Sequence, residues 1–139
     1  MNPGPRPPHP PTAHQRLRGE RGSASLELAV VFPAVMALMF LIVQAGIYFH
    51  ARTLALTAAQ EGLRAASALT GTADQGTAKA TSFLDRTADG WVVNRGVASA
   101  RTPTTATITI TGRSISLIPG LPGLPITQKA TGPVERPTG

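Results

Sequence analysis

Hydrophobic and polar positions change their period several times along this chain. From Leu26 to Phe49 the residues LELAVVFPAVMALMFLIVQAGIYF form a nearly unbroken apolar run, and the 22 positions from Leu28 to Phe49 carry no charge. At about 1.5 Å per residue those 22 positions make a helix of roughly 33 Å, enough to cross a bilayer core of about 30 Å. Gln44 is the one strongly polar side chain within the run. A cleaved secretory signal has a shorter apolar stretch of about 7–15 residues followed closely by a small-residue site. Here the Ala66-Ser67-Ala68 triplet lies too far downstream. The pattern predicts a single transmembrane helix over about 28–49. Pro33 removes one backbone donor, the partner of the Ala29 carbonyl, and introduces at least a mild kink.

Beyond the apolar run the segment ARTLALTAAQEGLRAASALTG keeps helical spacing, with Leu56, Ala59, Leu63, Ala66 and Leu69 on one face. That stripe is thin and alanine-rich, which favours close packing against another helix. Gly62 weakens this helix and Gly71 ends it. A second, short helix from about Ala73 to Arg86 brings Phe83 and Leu84 to a small core. The period then shifts to two. Trp91–Ala100 forms one strand, and Thr104–Thr111 alternates so that Ala106, Ile108 and Ile110 share a face. A third strand, Ser114–Ile118, follows through Gly112-Arg113; the PGLPGLP stretch is a proline-fixed loop, and Ile126–Ala130 is a last edge strand. The fold class is therefore α+β, a long N-terminal membrane helix continuing into an extracytoplasmic helix, then a small antiparallel β domain. A sheet of this length buries little apolar area alone and must pack on the preceding helix or on partner subunits.

Composition changes this picture at the N-terminus. Six of the 13 prolines lie in the first eleven residues, and residues 1–22 have almost nothing apolar to bury. They read as a disordered basic leader, with a weak polyproline-ligand pattern. The segment 23–69 then holds the membrane helix and its extension, and 70–139 forms the outer α+β domain. Arg16, Arg18 and Arg21 crowd the N-terminal edge of the span, whereas Arg52 and Arg64 are sparser on the other side. The positive-inside rule puts the N-terminus in the cytoplasm and the C-terminal domain outside the cell membrane. The net charge of +6 does not point to nucleic acid. Its basic residues are either in that leader or scattered singly, and Tyr48 and Trp91 do not interleave with them as a stacking platform would.

Candidate chemistry is sparse. There is no cysteine, so disulfides and thiolate sites are excluded. His9 and His14 lie in the leader and His50 sits alone at the membrane edge. Glu61, Asp74, Asp85 and Asp89 show neither paired-carboxylate nor metal-ligand spacing. No glycine-rich phosphate loop follows a strand. No enzyme, metal or cofactor is expected. Glu27 stands apart as the acid at the mouth of the apolar run, five residues after Gly22. Near a helix start it gains from the macrodipole, and a charge entering the membrane calls for a partner. Cleavage between Gly22 and Ser23 would create one, the Ser23 α-amino group.

RGSASLELAVVFP, LIVQAGIYF and AAQEGLRAA together resemble the TadE-like family of the tight-adherence (Flp-type) pilus machinery. The resemblance covers about residues 19–68, and Gly22, Glu27 and the apolar run are its most specific part. It implies a pseudopilin-like minor pilin or assembly component, cut by a prepilin peptidase between Gly22 and Ser23. Glu27 and Gln44 would serve helix pairing, and Glu61, Gly62 and Arg64 match the family's Ala-Ala-Arg-Glu-Gly-Ala-Arg segment. Two positions depart from the family pattern. Leu28 follows the glutamate where processed members often carry an aromatic residue, and Gln44 stands where many carry a second glutamate. The implied partners are the membrane, other pilin-like subunits and assembly proteins, with the peptidase if the leader is cut. The alternative is a single-pass, membrane-anchored extracellular binding module that never enters a pilus.

Overall fold

The computed structural model describes residues 1–8 and 14–138, with side chains from Gly22 onward and in residues 1–8. Five elements follow one another: α1 (His14–Ser67), α2 (Ala73–Thr87), β1 (Val92–Arg101), β2 (Thr105–Ser114) and β3 (Pro125–Pro133). The chain divides into two compact units, Met1–Met39 and Phe40–Gly139. The second half of α1 thus belongs with the C-terminal domain, which begins well before residue 70. The α+β class is as the sequence predicts.

In the first unit, residues 1–8 have no regular secondary structure, and helix begins at His14. The helix thus starts within the segment 1–22 that the sequence reads as a disordered leader. The prolines stop at Pro11, and HQRLRGERG is rich in good helix formers. Joined to a long apolar helix, these residues extend a ladder whose costly nucleus already exists. Leader residues 9–13, including His9, lie outside the described residues. Helix α1 is continuous through Pro33.

In the second unit an antiparallel sheet of order β1-β2-β3 carries the core. Ala106, Ile108 and Ile110 of β2 are fully buried, as their alternation predicts. Val92, Ile126 and Ala130 join them from the flanking strands, and Leu84 from α2. Phe83 is only partly buried. The capping box Thr72/Gln75 starts α2, each side chain bonding the other's backbone N–H at 3.1 Å. After Gly71, α2 folds back against α1 and the sheet.

Two local expectations are overturned. There is no strand over Ser114–Ile118, because β2 runs straight through Gly112-Arg113. Arg113 pairs with Val93 on one side and Pro125 on the other. Gly112 is there for space: a Cβ would meet Val92 Cγ1 at 2.7 Å. The buried stripe of α1 is also rotated from the expected one. It comprises Ala51, Ala55, Ala58, Ala59, Gly62 and Ala66, while Leu56 and Leu69 remain exposed and Leu63 is half-buried. The neighbouring backbone comes too close for leucine, so only alanine and glycine fit inside.

Candidate functional site

The first unit presents an apolar helix whose side chains touch little else. Leu28, Phe32 and Leu38 of α1 are 65%, 60% and 56% exposed. The helix holds a candidate membrane span with mean hydropathy 2.6, and none of that window is buried. Side chains of this kind gain nothing from water and match an acyl-chain or helix-lined environment. Length and composition therefore support membrane anchoring.

Gly22 and Ser23 are neighbours on this helix, Glu27 lies about one turn further on, and all three are exposed. Nothing lies within 4 Å of where a Gly22 Cβ would stand. The Glu27 carboxylate rises from a shallow apolar surface formed with Ala24, Leu28 and Val31. Ser23 and Glu27 are one helical turn apart (i, i+4), on the same face. Ion pairs among the described residues lie elsewhere, in Glu61–Arg64 and in Arg95 with Asp85 and Asp89. Glu27 is thus placed where another molecule can reach it.

Gln44, expected to serve helix pairing, bonds within the chain. Its Nε2 donates to the Ile115 carbonyl at 2.9 Å, and its Oε1 accepts the Leu117 N–H at 3.0 Å. The amide thereby imitates a strand neighbour and ties the β2–β3 loop to α1. Both ends of the side chain are engaged within the chain.

The Glu61-Gly62-Arg64 segment splits into two jobs. Glu61 and Arg64 form an exposed pair at 3.0 Å along the helix, a contact of small energetic weight. Gly62 sits in the crossing of α1 with α2, where an added Cβ would meet Gly76 O at 2.8 Å and Ala80 Cβ at 3.0 Å. Gly76 is its reciprocal, facing Ala66 Cβ at 2.8 Å and Gly62 O at 3.0 Å. Sequence reasoning identified Gly62 but missed Gly76, whose only signal is a glycine inside a short helix. It also missed Arg101, whose Nε donates to the Ala66 carbonyl at 2.8 Å and whose guanidinium reaches Ala68 O at 3.4 Å. Those carbonyls belong to the end of α1, where helix carbonyls lack intrahelical partners and a cation is favoured.

Acid groups of the C-terminal domain serve local structure. A bulge between Val93 and Gly96, with Asn94 at φ 52°, turns Arg95 toward α2. There its Nη2 lies 3.2 Å from Asp85 and 3.8 Å from Asp89. His50 packs edge-on against Trp91, with ring centroids 4.7 Å apart. Among the described residues no three His, Asp or Glu side chains are grouped as metal ligands.

No curated protein matches this chain, nor does any solved structure. A family model described as TadE-like protein does match, over residues 22–64. The match begins at the glycine before Ser23, runs through Glu27, the apolar helix and Gln44, and ends at the arginine paired with Glu61. Over Gly22 to Arg64, then, this chain is similar to the TadE-like family.

Proposed function

We propose that this protein is a pseudopilin-like structural subunit of a tight-adherence (Flp-type) pilus assembly. The similarity of residues 22–64 to the TadE-like family supports an association with such systems at a coarse level. The observation that carries the finer reading is the exposed apolar helix that starts the family segment at Gly22 and bears Glu27 one turn later. A helix with so much uncovered apolar surface is suited first to lipid and then to other helices of its kind. Its work is assembly, not turnover of a substrate. The N-terminus is cytoplasmic, the C-terminal domain is extracytoplasmic, and a prepilin peptidase removes the leader after Gly22.

The mature N-terminus tests this directly. A mass spectrum of the membrane-extracted protein is expected to show a chain beginning at Ser23. An intact Met1 would favour the uncleaved, anchored binding module instead.

A further inference from the structure

The loop between β2 and β3 is unusual for a surface connection. Ser114 to Gln128, SISLIPGLPGLPITQ, contains no charge. Leu117, Ile118, Leu121 and Leu124 are 42%, 47%, 57% and 50% exposed. Loops that face water rarely gather four large aliphatic side chains outward without a partner. The position of this loop along α1 supplies the explanation.

Both hydrogen bonds of Gln44 go to this loop, at Ile115 and Leu117. An open groove of about 240 Å³ lies between them, with Leu41 and Gln44 on the helix side and Ile118, Leu121 and Leu124 on the loop side. Gln44 and Leu41 stand five and eight residues before Phe49, where the uncharged run ends. At about 1.5 Å per residue they lie roughly 8 and 12 Å inside that end. One leaflet of a 30 Å core is about 15 Å deep. His50, with Trp91 against it, then falls at the interface, a level that aromatic rings with a polar edge prefer.

Part of the loop's backbone is satisfied without water. Pro119 and Pro122 have no N–H to satisfy. The Ile118 N–H donates to Ser116 Oγ at 3.2 Å, and the Leu124 N–H to Ser114 Oγ at 3.2 Å. The Leu121 N–H reaches Ile118 O at 3.2 Å. At the neck, Arg113 Nη1 donates to Gly123 O at 2.8 Å, holding its charge at the base of the loop. The Ile118, Leu121 and Leu124 N–H groups are thus met by protein, as irregular backbone at membrane depth requires.

We propose that the segment Ile115–Leu124 is a second membrane-inserted element. It lies along α1 at Leu41–Gln44 and places Leu117, Ile118, Leu121 and Leu124 among the acyl chains of the leaflet on the C-terminal side. The groove between loop and helix receives acyl-chain carbons. This proposal rests on the reading of α1 as a membrane anchor. Lipid is the occupant because the groove is continuous with the lipid-facing surface of that helix.

The absence of cysteine makes the test direct. Full-length Leu121→Cys protein is labelled with a bimane fluorophore and reconstituted in phosphatidylcholine vesicles containing doxyl-labelled lipids. Leu38→Cys, within the span, and Thr131→Cys, on β3, serve as references. Leu121→Cys is expected to lose at least half as much fluorescence to the doxyl lipids as Leu38→Cys, while Thr131→Cys is unaffected. Adding Gln44→Leu should reduce quenching at position 121 at least twofold and leave position 38 unchanged. Quenching at 38 without quenching at 121 overturns the loop proposal and keeps the anchor. If 121 is then also shielded from aqueous iodide, another protein surface covers the loop. Loss of quenching at both positions overturns the anchor reading, and the loop proposal falls with it.

Discussion

Glutamine can sit inside an apolar run only when both ends of its amide find partners, and Gln44 finds them in Ile115 and Leu117. A glutamate there would accept from Leu117 but leave the Ile115 carbonyl without its donor. Glu27 has the opposite character, an exposed carboxylate. If it pairs with the Ser23 amino group of a neighbouring helix, Glu27→Gln leaves that ammonium unmatched in a low-dielectric setting. Correctly processed Glu27→Gln protein should then fail to co-purify with other pilin-like subunits. Wild-type recovery of the partners, with a mature mass confirmed, would remove the assembly role from Glu27. Gly22 is tested separately. A leucine at that position crowds a peptidase site built for glycine, and full-length chain is expected to accumulate in Gly22→Leu cells on immunoblots.

At the scale of elements, the crossing of α1 and α2 is set by two glycines facing each other. Gly62→Val would drive its side chain against Gly76 O and Ala80 Cβ. Backbone oxygen cannot swing aside as a side chain can, so a cost of about 1–3 kcal/mol or more is expected. Thermal unfolding of the detergent-solubilised protein should show the drop. Leu56→Ala, on the exposed face of the same helix, should change stability by no more than about 0.5 kcal/mol. Equal effects from the two substitutions would mean that the buried face has been misplaced. Arg101 adds a further tie, holding the end of α1 to β1 through the Ala66 carbonyl.

Considered whole, the protein has one unit whose helix is suited to lipid or to other helices, and one whose core is closed on itself. The second unit reaches back along α1 to Phe40, so the C-terminal part of the apolar run also belongs to a folded domain. With the arginine excess on the N-terminal side of the span, that domain is expected outside the cytoplasm. Protease added to intact, wall-stripped cells should remove a C-terminal tag and spare a fragment ending near residue 50. Protection of the tag would reverse the orientation.

The class of fold and the candidate membrane span were legible in the residues because they depend on local periodicity. An uncharged run of helical length and the alternation at Ala106, Ile108 and Ile110 carry their meaning without knowledge of distant neighbours. The TadE-like segment was legible for a similar reason, since Gly22, Glu27 and the run beside them are contiguous. The sequence was misleading where two conformations suit the same residues. Gly112-Arg113 reads as a turn but forms the middle of a sheet, because the pairing of Arg113 with Val93 and Pro125 involves partners far along the chain. Leu56 and Leu69 read as a core stripe, yet the close approach of Gly76 leaves room only for Gly62 and the alanines beside it. Gln44 shows the limit most clearly. Its polarity was visible from the start, but its partners lie 71 and 73 residues away. Local propensity carries no information about such contacts; only the folding of the sheet against α1 brings them within hydrogen-bonding distance.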